Sequence, residues 1–356
     1  MTRVSRLIQC MFLRYFLLAL SAFVGLYLLV DLFEKLDNFS EASTPALTVL
    51  GYFASRVPTI VTQVAPMAVL LATFSTLGNL SRTNELLALR SIGLSLQRIS
   101  RPLLLWGLLI ASGLLAMTEH LTPLASRLSV DLWETAMDQG SQSRLSRQNL
   151  WLRDGQSIYF IRLVAPESGQ LLDVRLYQLD DNFQLSAVVQ GKIARYEEGR
   201  WAMGVDQFWG DTETPNTKLK LAISLPLRLS PEDFSQQNRS TEELRLSELR
   251  DLMAQMQQQG LQPTRLAVDH QSRLAQPFTC LVMAFLGIPF SLQRGREHSL
   301  AIGVALSVTI GISYFFLQAL TLSVGYTGSL PPLMAAWAPN LIFLLLGTGL
   351  LLSRRT

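Results

Sequence analysis

Residues 299–353 contain no Asp, Glu, Lys or Arg. A soluble core has no room for so long an apolar run. A bilayer does, because a spanning helix needs roughly 20 mostly apolar residues to cross about 30 Å of hydrocarbon. The run is long enough for two crossings, and Pro331 and Pro332 after "YTGSL" mark the break between them. Four other stretches qualify on the same ground: about 12–33, inside the uncharged interval 57–81, about 102–118, and about 274–292. A composition of 49% hydrophobic and 16% charged residues agrees with a multi-span membrane protein. The basic start and apolar body of the first stretch resemble a signal peptide. It is nonetheless long enough to span, and "VDLFEKLDNF" after it is a poor cleavage site, so a retained first span is expected.

Basic residues next to spans report orientation. Arg3, Arg6 and Arg14 open the first span; Arg82, Arg90, Arg98 and Arg101 lie between the second and third; Arg294 and Arg296 separate the fourth and fifth; Arg354 and Arg355 follow the sixth. In the loop after the first span, Asp31, Glu34, Asp37 and Glu41 outnumber Lys35 and Arg56. Both termini are therefore expected in the cytoplasm and the long middle region outside. From about 146 to 229 that region alternates apolar and polar residues in short runs, such as "LWLRDGQSIYFIRLV" and "DVRLYQL", separated by turn signals. Strands without intervening helices predict an antiparallel sandwich, open barrel or jelly roll. "TEELRLSELRDLMAQMQQQG" reads as a helix stopped by Gly260. The expected fold is an α-helical membrane protein of six transmembrane helices with an all-β, jelly-roll-like domain inserted between the third and fourth. The division is 1–125 (with a short helix at about 82–93), 126–262 and 263–356.

The chain has no engine of its own that the sequence reveals. A phosphate-cradling loop needs G-x-x-x-x-G-K-[ST], and Gly191-Lys192 lacks the upstream glycine and the following hydroxyl. His120, His270 and His298 are scattered, no hydrolase motif occurs, and no carboxylate lies mid-span where an ion-coupled transporter would need one. Cys10 and Cys280 both fall at or inside spans, so no disulfide framework follows. A net charge of +3, spread in small clusters, does not point to nucleic acid. Any energy must come from a separate subunit.

Three sets of residues are candidates for function. In "LSRTNELLALRSIGL" a short helix places Leu86, Leu89 and Ile92 in a stripe, with Glu85 its only acid, Arg82 and Arg90 flanking it and Gly93 as its stop. Such a helix between two spans can dock into a groove on a soluble partner, or it can be a solvated helix whose Glu85 complements the dipole. At the outer end of the first span, Lys35 can contact a phosphorylated headgroup or snorkel as an interface anchor. Phe33, Phe315 and Phe316 in the first and fifth spans, and Trp151 and Tyr159 on the strands, can line a lipid path or be ordinary lipid-facing and core residues.

These residues resemble a known family. "TNELLALRSIGLS", "QNLWLRDGQSIYFIRL" and "SRLAQPFTCLVMAFLGIPFSL" are similar to the coupling helix, first β-strands and fourth-span entry of the lipopolysaccharide-export permeases, the LptF/LptG family, and nearer its LptG type. The resemblance covers essentially the whole chain. It implies a non-catalytic inner-membrane subunit of a Gram-negative bacterium, paired with an LptF-type permease. A cytoplasmic ATPase dimer of the LptB type would bind ATP and Mg, and a single-span periplasmic bridge protein of the LptC type would join outside. The cargo is lipopolysaccharide, entering through gates involving spans one and five. Glu85 falls on the coupling-helix glutamate. The LptG-type lysines near the outer end of span one match imperfectly, because Asp31 and Asn38 stand where base is expected, leaving Lys35. The alternatives are the LptF-type partner of the same exporter, or a membrane-anchored β-domain scaffold or sensor without transport.

Overall fold

The computed structural model describes residues 2–41, 44–138, 146–154, 156–165, 169–180, 184–197, 200–210, 222–225, 241–258, 262–292 and 300–353. In hydrocarbon no water can bond to the backbone, so the apolar runs become helices, which satisfy their own amides. α1 spans Thr2–Glu41, α2 Ala46–Arg82 and the short α3 Glu85–Ser91. α4 (Leu96–Ala116) continues through a π turn (Met117–Leu121) into α5 (Thr122–Asp138). After the β insertion come a 3-10 turn (Thr241–Glu243), α6 (Leu246–Gln258), α7 (Thr264–Leu292), α8 (Leu300–Tyr326) and α9 (Pro332–Leu352). Six of these helices, with α4 to α5 counted as one, are long and apolar enough to cross a membrane.

Two compact units result: residues 1–137 with 241–356, and residues 138–240. The helical unit thus takes in 126–137 and α6. α5 prolongs the third spanning helix, and α6 is bonded to it. In this unit α2 and α7 are central. One core cluster joins Phe12, Val69, Leu77, Leu103 and Ala284, from α1, α2, α4 and α7. Another joins Leu70, Met283, Leu286, Tyr314 and Phe343, from α2, α7, α8 and α9. Small residues permit this closeness: a Cβ on Gly287 would lie 2.8 Å from Thr73 Cγ2. Beside the second cluster, Tyr314 OH donates to Asn340 Oδ1 at 2.9 Å, lies 2.7 Å from Thr279 Oγ1, and Asn340 Nδ2 reaches the Ala275 carbonyl at 3.0 Å. This buried triad ties α7, α8 and α9 together where no solvent competes.

The π turn sets the other end of the third spanning helix. Glu119, in that turn, accepts the Leu246 N–H at 3.0 Å and the Ser247 hydroxyl at 3.2 Å, capping α6 from another helix. One helical stretch on, Arg127 donates to the Glu243 carbonyl at 2.9 Å and to Glu248 Oε2 at 2.7 Å. Glu248 also accepts the Arg245 N–H at 3.0 Å, the half of a capping box in which the third helical residue reaches back. Burial opposes ionisation of Glu248, but the Arg245 amide and the Arg127 guanidinium outweigh it and hold its pKa below the ordinary 4.5. The single helix expected from Thr241 onward is thereby split into the 3-10 turn and α6. Arg273 of α7 takes the Thr241 and Leu244 carbonyls, which a continuous helix would have kept. Gly260 lies outside the described residues.

The β unit is an antiparallel sheet inserted between the third and fourth spanning helices. Its strands are β1 (Ser146–Asp154), β2 (Ser157–Ala165), β3 (Gln170–Leu179), β4 (Leu185–Glu197), β5 (Arg200–Gly204), β6 (Gln207–Gly210) and β7 (Ala222–Leu225). The order is β1-β2-β3-β4-β5-β7, with β6 also on β4. β4 shares one edge between β6, at Ala187–Gln190, and β5, at Ala194–Glu197. Gly191 lies between these pairings, and a Cβ there would meet the Gly204 carbonyl at 2.4 Å. Among the described residues the in-out alternation breaks in β4, where burial passes from Val189 to Ala194, and in β3. Asp173 has φ 52°, so burial falls on Leu171 before it and on Val174 and Leu176 after it. Its carboxylate is held by Gln190 at 3.1 Å and Arg162 at 3.4 Å. Tyr159, Ile161, Trp201 and Met203 complete the core.

Candidate functional site

α3 is seven residues long, too short to be stable alone, so tertiary contacts must hold it. Asn84 enters it at φ 59°, in the left-handed region that asparagine tolerates. Gly93 leaves it at φ 85°, with Leu94 N–H on the Leu89 carbonyl at 3.1 Å and Gly93 N–H on the Arg90 carbonyl at 3.0 Å, a Schellman stop. Leu86 is buried and Leu89 half-buried against the α1, α2 and α4 core. The apolar stripe ends there: Ile92 is the capping residue past the last turn and is 74% exposed, not buried as its spacing predicts. Leu87 is exposed as well, as are Arg82, Glu85 and Arg90. Among the described residues Glu85 makes no ion pair. Two leucines therefore moor α3, and a carboxylate, two guanidiniums and two apolar side chains face outward.

At the junction of α1 and α2, Lys35 is half-buried and already bonded. Its Nζ donates to Asp31 Oδ1 at 2.8 Å, one helical turn back, and to Tyr52 OH at 2.5 Å. It also lies 4.9 Å from the Tyr52 ring centre and 5.6 Å from that of Trp133. Asp31 is buried, and its other oxygen is 3.8 Å from Arg56 Nε. A desolvated carboxylate needs such company. With Phe39 packed edge-on to Tyr52 and Trp133, the arrangement is an aromatic box around Lys35, with Asp31 between it and Arg56.

The remaining candidates are dispersed. Phe33 of α1 and Phe316 of α8 are 66% and 65% exposed on outward faces. Phe315 instead packs on the second core cluster, its ring 5.6 Å from that of Tyr314. Tyr159 is in the β core. Trp151 is on β1 opposite Phe160, and its side chain lies outside the described residues. Among the described residues, no three His, Cys, Asp or Glu side chains converge as a metal site. Sequence reasoning did not single out Tyr52 and Trp133 as partners of Lys35, Arg56 as a partner of Asp31, or the Thr279–Tyr314–Asn340 triad. Only the four-residue spacing of Asp31 and Lys35 was a visible signal.

Comparison with known proteins adds an independent line. The family model for the lipopolysaccharide export system permease LptF/LptG matches residues 6–354. The chain is 20% identical over 343 residues to the lipopolysaccharide export system permease protein LptG of Escherichia coli K12, covering 95% of this chain and 94% of that one. It is 20% identical over 339 residues to the protein of the same name from Haemophilus influenzae, covering 94% of each.

Proposed function

We propose that this chain, which belongs to the LptF/LptG family of lipopolysaccharide export permeases, is the LptG-type subunit of its exporter. As a member it is a multi-pass, non-catalytic permease of the lipopolysaccharide export system. Our reading goes further. It sits in the inner membrane of a Gram-negative bacterium with both termini cytoplasmic and the β unit periplasmic. It pairs with an LptF-type permease, couples through α3 to an ATPase dimer of the LptB type, and meets a single-span LptC-type bridge protein outside. Lipopolysaccharide leaves the membrane between the paired permeases and passes to the β unit.

The observation that carries this reading is the uneven burial of the spans. α1 and α8 bury 17% and 22% of their apolar windows, against 61% and 67% for α2 and α7. The sequence supplied α1 and α8 with outward aromatics at Phe33 and Phe316 but with few partners of their own. A second permease and the acyl chains of a cargo would complete them. Extraction needs coupled work, because each methylene drawn from hydrocarbon costs about 0.8 kcal/mol. Lys35 is offered as a headgroup contact: a phosphate would replace Asp31 or share the ammonium with it.

Photo-crosslinkers at Phe33, Phe316 and Tyr177, a β3 residue outside the β core, test the route in cells, with the ATPase active or inactivated. Adducts with lipopolysaccharide at the two membrane positions in both states, and at Tyr177 only with turnover, are expected. Absence of adducts at Phe33 and Phe316 would refute the path.

A further inference from the structure

α7 runs for 29 residues, about 43 Å at 1.5 Å per residue. That exceeds the roughly 30 Å of hydrocarbon, and its charged residues, Arg265, Asp269 and Arg273, all stand in its first three turns. Those turns project beyond the apolar stretch at about 274–292, and His270 is among them. The imidazole is buried, with the residue 6% exposed, and Arg250 Nε of α6 lies 3.2 Å from its Nε2. A guanidinium has donors only. The arginine therefore donates, Nε2 carries a lone pair, and the ring is neutral. A protonated imidazole has no acceptor left and would set a second positive charge at the same distance. One protonation state of His270 thus bonds Arg250, and the other repels it.

The contact matters because of where it falls on α6. The start of that helix is held by Leu246 and Leu249, both buried, and by the bonds from Glu119 and Arg127. Past Leu249 none of its described side chains is buried: Leu252, Met253 and Met256 are half-buried and the others exposed. The second half of α6 is left with partly covered apolar side chains and the Arg250 bond to α7.

The charged groups that face the ring are Arg250 of α6, Arg273 of α7 and Glu119 of the π turn. Burial above all, and then Arg250 and Arg273, hold its pKa below the ordinary 6.5, against the pull of Glu119. A ring released into water regains the ordinary value. Release therefore takes up a proton. The contact keeps its full strength above pH 6.5, and each unit below that favours release by up to about tenfold, until the lower folded value is reached.

We propose that Arg250 and His270 form a pH-sensitive latch, which holds the second half of α6 on α7 at neutral pH and lets it go in acid. α6 is the segment by which the chain returns from the β insertion to the fourth spanning helix, so acid loosens that return. The latch needs neither the cargo nor the partners of the export reading above.

Hydrogen–deuterium exchange of the full chain in nanodiscs tests it, read as protection of Arg250–Gln258 at pH 7.0 and 5.0 after correction for intrinsic exchange. Both values lie above the range in which Glu248 gains its proton. Wild-type protection should be at least about fivefold lower at pH 5.0. His270→Gln, whose amide oxygen still accepts from Arg250 and does not titrate, should abolish that difference. Arg250→Met, which keeps the stem and loses the donor, should lower protection already at pH 7.0. Unchanged protection of 275–290 in each variant checks that the helical core is intact. Equal wild-type protection at the two pH values, a difference that survives in His270→Gln, or full protection in Arg250→Met at pH 7.0 would overturn the latch. None of these results touches the export reading, which the adducts at Phe33 and Phe316 decide.

Discussion

Removing the Glu85 carboxylate separates a docking role from a structural one, and the structure gives the size of each. Within the chain Glu85 is exposed, has no ion-pair partner among the described residues, and stands in the first turn of a helix moored by Leu86 and Leu89. Its only internal contribution is to the dipole of seven residues, and alanine's better helix propensity offsets part of that. Glu85→Ala should therefore change stability by less than about 0.5 kcal/mol. If the carboxylate pairs with a base in an ATPase groove, its loss removes a charge-assisted hydrogen bond of about 1.5–3 kcal/mol. That is roughly 10- to 150-fold in affinity. The assay is ATPase binding to the permease pair in nanodiscs, alongside thermal unfolding of the same preparation. Leu86→Ala is the contrasting control. It truncates a buried anchor, so about 2–5 kcal/mol of stability should go with any loss of docking. Unchanged ATPase affinity in Glu85→Ala would refute the docking role, and loss of affinity in step with thermal stability would show that Glu85 acts only by supporting the fold.

Glu248 titrates below its ordinary value, so its contribution is present above pH 4.5 and is lost as pH falls through the lower folded pKa. Hydrogen exchange should show Leu246–Gln258 losing protection below about pH 4.5 in the wild type, and Glu248→Gln should remove that step. Asn340→Leu breaks the bonds to Tyr314, Thr279 and Ala275. At an average of about 0.6 kcal/mol per interhelical bond in a membrane, it should cost about 2 kcal/mol in detergent unfolding, and Tyr314→Phe less. Gly191→Ala puts a methyl 2.4 Å from the Gly204 carbonyl, an overpacking worth about 1–3 kcal/mol that limited proteolysis of the β unit should register.

What could be read from the residues was whatever depends on local periodicity. The spans follow from length and apolarity, so they emerged with their order intact. The strands followed from alternation, until Asp173 reversed the parity of β3, which no propensity signals because an aspartate more often keeps φ negative. Ile92 failed for a related reason. Its spacing fitted the stripe, but Gly93 stops the helix one residue earlier than the stripe needs. Lys35 shows the larger limit. Its bond to Asp31 is local and legible; Tyr52 and Trp133 reach it, and Arg56 reaches Asp31, from two other segments, and only tertiary packing brings them there.

The π turn at Met117–Leu121 accommodates one residue more than an α-helical turn would. At 3.6 residues per turn, excising it would swing everything downstream by about 100°. Arg127 would leave Glu248. The anchoring of α6 at both Glu119 and Arg127 is thus tied to the arithmetic of one turn, and homologues that lengthen or shorten this helix elsewhere should still count the same number of residues from Glu119 to Arg127.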